Sequence, residues 1–152
     1  EFGGEYEVME NTTASANIAW SRGRQKVNAT AATTAFDGAV PLVAVLGLKH
    51  ELPDYGLQFE LFTTLAAGRT ESSNPDAYLP SGYALFDAYA KWTPRENFEL
   101  TAGIENIFNR RYFPNTLTSH ARSADPLTAN VNPLELQTGA GRTFKLGATV
   151  KF

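Results

Sequence analysis

Apolar and polar residues alternate along much of this chain with a period of two. The last ten residues show it plainly. Phe144, Leu146, Ala148, Val150 and Phe152 are apolar, while Thr143, Lys145, Gly147, Thr149 and Lys151 between them are polar or small. Such alternation describes a strand with one apolar face and one wet face. Carried back along the chain, the same reading predicts strands near 98–108, 83–93, 57–67, 42–52, 14–22 and 2–10. Each is roughly 9–11 residues long, the length a tilted strand needs to cross a bilayer.

The connections sharpen this picture. Asn11-Thr12-Thr13, Pro53-Asp54-Tyr55-Gly56 and Pro94-Arg95-Glu96-Asn97 are tight turns, and each is followed, one strand later, by a long connection: about twenty residues up to Pro41, then Gly68 to Gly82, then Asn109 to Arg142. Strict alternation of short and long loops is the signature of outer-membrane barrels, whose periplasmic turns are tight and whose extracellular loops are extended. The predicted fold is therefore all-β, a transmembrane antiparallel β-barrel segment of about seven strands. Seven is odd, and an isolated sheet would leave two open edges in lipid. Further strands are expected to complete the wall, and the opening Glu1-Phe2-Gly3-Gly4, already inside a predicted strand, agrees with a piece of something longer.

Register follows from the turns. Pairing Leu52 with Leu57 sets His50 opposite Phe59 and Leu48 opposite Leu61 on the lipid face, and Lys49 opposite Glu60 on the lumen face. At the third turn Trp92 is expected opposite Phe98 and Lys91 opposite Glu99; at the first, Val8 opposite Ala16 and Tyr6 opposite Ile18. Phe59, Leu61, Phe86, Trp92, Phe98, Leu100, Leu146 and Val150 should then meet lipid, and Glu60, Asp87, Lys91, Glu99 and Lys145 the lumen. Trp92, Phe98 and Phe152 fall together at the periplasmic ends, where an aromatic girdle belongs.

Composition removes several classes of function. The 152 residues are 43% hydrophobic, 19% charged and 12% aromatic, which does not suit a disordered chain. A net charge of −3 gives no general pull toward nucleic acid. With no cysteine, disulfides, thiolate metal sites and cysteine nucleophiles are all absent. No apolar run reaches ~18 residues, so no transmembrane helix is expected. The two histidines, His50 and His120, fall at opposite ends of the predicted barrel, and no nucleophile–base arrangement is visible. Gly139-Ala140-Gly141 opens a strand rather than a helix and lacks the third glycine of a dinucleotide site. The chain reads as a protein without enzymatic activity, intrinsic cofactor or metal site.

One stretch carries a family resemblance. From Gly82 to Tyr112 the sequence is GYALFDAYAKWTPRENFELTAGIENIFNRRY. It resembles the penultimate hairpin of TonB-dependent outer-membrane receptors, in which an Asp-bearing strand precedes a tight turn and a strand ending Asn-Leu-Phe-Asp-x-x-Tyr. Here that ending is Asn106-Ile107-Phe108-Asn109-Arg110-Arg111-Tyr112. The closing Gly141-Arg142-Thr143-Phe144 through Phe152 resembles the family's Gly-Arg-x-Phe and terminal aromatic. Asn109 stands where Asp is usual, and Ala140 where Pro often precedes Gly-Arg. The resemblance covers essentially the whole chain as the last seven strands of a 22-stranded barrel, and the layout is more like haem and haemoglobin receptors than siderophore receptors. It implies residues 1–152 as the C-terminal part of the barrel, with an N-terminal plug domain and TonB box outside this chain. It implies the Gram-negative outer membrane as location. The expected partners are the receptor's own N-terminal strands and plug, the TonB system, outer-membrane lipid and lipopolysaccharide, and a haem-carrying protein. Phe144, Leu146, Val150 and Phe152 look like the signal read by the barrel-assembly machinery.

Within that frame the 109–141 loop is the expected extracellular mouth. Tyr112 and His120 are residue types that hold haem iron, and Arg110, Arg111 and Arg122 can meet propionates or lipopolysaccharide phosphates. The plainer readings stand beside these: a solvated loop histidine, a girdle tyrosine, a solvated basic pair. Haem as transported substrate is thus the expected function. The alternatives are a siderophore receptor of the same family, a soluble lipocalin-like barrel, and a small complete barrel used in adhesion. A lipocalin's apolar cup would sit poorly with a lumen lined by Glu5, Glu7, Lys49, Glu60, Asp87, Lys91 and Glu99.

Overall fold

The computed structural model describes residues 1–26, 28–73, 78–114 and 137–151. Period-two alternation becomes strands throughout. They are β1 (Phe2–Met9), β2 (Thr12–Ala19), β3 (Arg24–Gln25), β4 (Thr34–Ala35), β5 (Val43–Leu52), β6 (Leu57–Ala66), β7 (Tyr83–Arg95), β8 (Phe98–Glu105) and β9 (Thr143–Val150). Seven of them form one antiparallel sheet in the order β1-β2-β5-β6-β7-β8-β9, each beside its chain neighbour. The short β3 and β4 pair only with each other, as a small hairpin within the first long connection. Two-residue strands are too short to show a period, which is why the sequence pattern does not mark them.

Two adjacent rows across the sheet display its logic. Tyr6, Ala14, Leu48, Leu61, Ala88, Ile104 and Phe144 lie side by side through all seven strands, an unbroken apolar row. One residue along, Glu7, Thr13, Lys49, Glu60, Tyr89, Gly103 and Lys145 make the matching row on the other face. Among the described residues nothing covers the first face. Leu61 is 53% exposed and Leu146 89% exposed, and among the described residues burial of apolar side chains is confined to small ones such as Ala66 and Pro80. A water-soluble sandwich or cup would bury such a row; lipid solvates it. The predicted facing holds throughout. Phe59, Leu61, Phe86, Trp92, Phe98, Leu100, Leu146 and Val150 share the apolar face, with Glu60, Asp87, Lys91, Glu99 and Lys145 opposite.

The middle hairpin has the expected register, Leu52↔Leu57 with Lys49↔Glu60. Pro53–Tyr55 closes it as one turn of 3₁₀ helix, ended by Gly56 at φ 61°. A side chain at Gly56 would strike the Thr93 carbonyl at 2.3 Å, so neither its φ nor its space admits another residue comfortably. The outer two hairpins differ from expectation. Tyr6 lies opposite Ala14 rather than Ile18, and Trp92 opposite Leu100 rather than Phe98. Both strands carry an irregularity beside the turn, between Glu7 and Met9 and between Trp92 and Arg95. The chain turns at Asn11, which takes φ 59°, and at Glu96-Asn97, beyond Pro94 rather than at it. A bulge shifts partners along the strand, yet the shift beyond it is even, so each face keeps its residues.

Candidate functional site at the long-loop rim

The end of β8 shows why the Asn-x-Phe-Asn ending has its spelling. Asn106 is only 4% exposed and sits at φ 50°, a left-handed conformation that Asn tolerates better than most residues. Its backbone N–H donates to Asp87 Oδ1 at 2.7 Å, tying β8 to the inward carboxylate of β7. Its side-chain amide then does two jobs at once. Oδ1 accepts the Arg110 N–H at 2.7 Å, while Nδ2 donates to the carbonyls of Arg110 at 2.8 Å and Ala140 at 3.0 Å. A carboxylate has no hydrogen to give those carbonyls, so the position demands Asn.

Asn109 is a different case. Its Oδ1 only accepts, from the Arg142 N–H at 2.9 Å, and a carboxylate would accept equally well. Asn in place of the usual Asp therefore changes nothing in the clasp. Together the two asparagines hold the end of β8 against the start of β9, and Ile107 N–H donates to the Phe86 carbonyl on the other side.

This clasp places the sequence-selected residues. Tyr112 packs on Tyr83 with ring centroids 4.6 Å apart, and its ring lies against the backbone of Gly139, where a Cβ would come within 2.1 Å of it. Tyr83 pairs with Ala66 on the inward face, so Tyr112 lies on the lumen side of the rim. It is not a girdle residue. Phe108, 70% exposed and edge-on to outward Phe86 at 5.2 Å, takes that place. Burial raises the Tyr112 phenol above its ordinary pKa, and Asp87 and Glu105 add to this, so the group stays neutral. Tyr78 and Phe113, 5.0 Å apart, form a second aromatic pair beyond the strand ends. Tyr78 carries no motif, and Tyr83, though inside the family-like stretch, is not marked by sequence as a partner of Tyr112, because nothing in sequence brings 78–83 beside 112.

Arg110 and Arg111 are exposed, and neither guanidinium has an ion-pair partner among the described residues. His120, Arg122 and Phe152 lie outside the described residues. Phe144, Leu146 and Val150 form the outward face of β9. His50, at the opposite rim, has its Nδ1 2.8 Å from the Thr12 hydroxyl and faces outward beside Phe59. No three metal-ligating side chains converge among the described residues.

A second structure joins the first two long connections. Arg22 and Arg24 both reach Glu71, at 3.3 and 3.5 Å. Arg69, largely covered, donates to the carbonyls of Asp37 and Ala39 at 2.9 and 3.0 Å. Asp37 in turn accepts the Ser73 N–H at 3.0 Å and its hydroxyl. The Ser73 hydroxyl holds the Asp37 carboxyl below its ordinary pKa, with Arg69 contributing less. On the lumen face Glu105 accepts from Tyr89 at 2.7 Å and pairs with Lys145, and Tyr89 lies over Gly103 across the strand pair.

Comparison with known proteins decides the family. The model for the β-barrel of TonB dependent receptor-like proteins matches residues 1–107. The chain belongs to that family. The Brucella abortus protein named Heme transporter BhuA is 32% identical over 116 residues, 72% of this chain and 16% of its own length. The Haemophilus influenzae protein named Probable hemoglobin and hemoglobin-haptoglobin-binding protein 1 is 30% identical over 87 residues, 57% of this chain and 8% of its own length. The chain thus spans about a sixth or less of these relatives. Among solved structures, the copper transporter OprC superposes with TM-score 0.78 at 20% identity, covering 99% of this chain and 23% of that one. The FrpB iron transporter of Neisseria meningitidis gives 0.74 at 18% identity, 99% and 22%. Both show the fold: this sheet corresponds to a stretch of wall in a larger barrel. Membership and the uncovered apolar face together remove the lipocalin-like alternative, and the family is one of receptors and transporters, not enzymes.

Proposed function

We propose that the chain forms wall and extracellular mouth in an outer-membrane, TonB-dependent importer of an iron compound, haem itself or haem taken from a haem protein. The reading is carried by sequence likeness to proteins named for haem transport and haemoglobin binding, at 32% and 30% identity. The rim supports it chemically. The Tyr83–Tyr112 pair offers apolar ring faces on the lumen side, the Tyr78–Phe113 pair adds two more rings beyond the strand ends, and Arg110 and Arg111 offer exposed guanidiniums for propionates. Long loops on a rigid scaffold are where binding residues concentrate, and 109–141 is the longest here. The plug domain, the TonB system and the remaining strands are the partners this function requires.

The test uses the full receptor with a deletion of 115–135 and, separately, His120→Ala. Haem-dependent growth and haem absorbance should both be lost with the deletion. Retained binding with a shifted absorbance band in His120→Ala marks the imidazole as an iron ligand; an unshifted band leaves recognition to the aromatics and arginines. Full growth and binding in the deletion would overturn the mouth assignment.

A further inference from the structure

The loop that follows β8 opens with two consecutive arginines, Arg110 and Arg111, both exposed at the long-loop rim. Paired basic residues on a surface loop are what arginine-directed proteases cut, by drawing several residues into an extended strand whose backbone they hydrogen-bond. The folded chain denies them that strand. Asn106 and Asn109 take φ 50° and 52°, and the Asn109 N–H donates back to the Asn106 carbonyl at 2.7 Å, so the approach to Arg110 is curled. The Arg110 N–H and carbonyl, which a protease must engage, are both taken by the Asn106 amide, at 2.7 and 2.8 Å.

The residues beyond the pair are held as well. The Tyr112 carbonyl accepts the Gly139 N–H at 2.9 Å, and the Tyr112 ring lies against Gly139 and Tyr83. Asn106 also reaches the Ala140 carbonyl, and Asn109 the Arg142 N–H. The two ends of the loop thus meet in a neck, and the covered Asn106 is the side chain that grips both of them. Fitting the Arg110–Arg111 bond to a protease means parting this neck, although both arginines are exposed.

We propose that Arg110–Arg111 is a masked cleavage site, closed by Asn106 and offered to arginine-directed proteases only when the neck parts. The step is hydrolysis. Water gives its hydroxyl to the Arg110 carbonyl carbon, the C–N bond to Arg111 breaks, and the Arg111 nitrogen takes the proton. The nick leaves the wall standing, because β8 and β9 stay paired from Phe98↔Val150 to Glu105↔Thr143. It frees one end of the loop. Receptors whose neck has not formed, or has been pulled open, are thereby disabled at the mouth without being dismantled. That last consequence rests on the mouth assignment; the mask itself does not.

Limited trypsin digestion of the full receptor in detergent, with the cuts mapped by peptide mass spectrometry, tests it. Cleavage after Arg110 should be slow in the wild type and about tenfold faster in Asn106→Ala, because cutting follows the population of the opened neck. Asn109→Asp, which keeps its acceptor, should match the wild type. Cleavage after Arg22 and Arg24 is the internal reference and should not change. Heat-modifiable gel mobility reports folding; if Asn106→Ala does not fold, Gly139→Ala, which displaces the Tyr112 ring, decides in its place with a several-fold increase. An unchanged rate in the folded variant, or wild-type cleavage after Arg110 as fast as in urea-unfolded receptor, would overturn the mask. A nicked receptor that no longer runs as a folded barrel would overturn the standing wall. The expected cleavage rates together with full haem uptake by the nicked receptor would overturn the mouth assignment instead, which is a distinct outcome.

Discussion

Two parts of the long-loop rim are joined by opposite means. On one side the first two long connections are held by charges: Arg22 and Arg24 on Glu71, Arg69 and Ser73 on Asp37. On the other, β8 is held to β9 by two neutral asparagines and backbone groups. Burial explains the difference. Asn106 is almost wholly covered, and its amide can satisfy three backbone groups without bringing in a charge that must be desolvated. The Glu71 cluster is half in solvent, where ion pairs are inexpensive to form and correspondingly weak. The clasp should therefore be a fixed part of the wall, and the charged strap an adjustable part of the surface.

Substitution at Asn106 should give the largest effect. Asn106→Ala removes the partner of the Arg110 N–H and of the Arg110 and Ala140 carbonyls, which belong to exposed residues that water can reach, so the loss is about 1–3 kcal/mol in all. It also puts Ala where φ is 50°, which adds about 1 kcal/mol. The urea midpoint of the refolded full receptor should fall accordingly. Asn106→Asp should cost nearly as much, because it faces two carbonyls with no hydrogen to offer, whereas Asn109→Asp should be neutral within about 0.5 kcal/mol. Equal effects at 106 and 109 would break the account of the clasp.

Gly139→Ala comes next. Its methyl would occupy the place of the Tyr112 ring, so Tyr112 must leave Tyr83. Chemical nitration of Tyr112, followed by peptide mass spectrometry, should become several-fold faster, with the strap unaffected.

On the strap, Glu71→Gln should change stability by less than about 1 kcal/mol, and added salt should shrink even that difference. A cost as large as that of Asn106→Ala would erase the distinction between the two regions.

The smallest effect is one of pH. Because the folded-state pKa of Asp37 is depressed, its contribution is complete above the ordinary aspartate value of about 3.9 and is lost as pH falls through the lower folded value. Amide exchange at Ser73 should quicken only in that acid window, and Asp37→Asn should bring the faster exchange to neutral pH. Asn106 and Asn109 do not titrate, so their own bonds contribute no such window.

The seven strands of the main sheet, their order and the residues of each face were legible along the chain, because a membrane strand has one apolar face with a period of two and no other partner to satisfy it, whereas the two-residue β3 and β4 were not. The Leu52–Leu57 hairpin was legible down to its register, since Pro53 and Gly56 define its turn. The hairpins at Asn11 and Glu96-Asn97 were not, because a bulge leaves no mark on the alternation beyond an even shift. The family resemblance selected Asn106 through Tyr112 as a motif, but only the folded sheet assigns its work. Asp87, Asn106, Arg110 and Ala140 come from three separate stretches of chain, and hydrogen-bond capacity matters only once they meet. Likewise Tyr112 could be placed at a rim by its position after a strand, yet whether it faced lipid or lumen was decided by Tyr83 and Gly139, which lie far from it along the chain. Periodicity is a local property and survives in one dimension; the partners of a side chain are not.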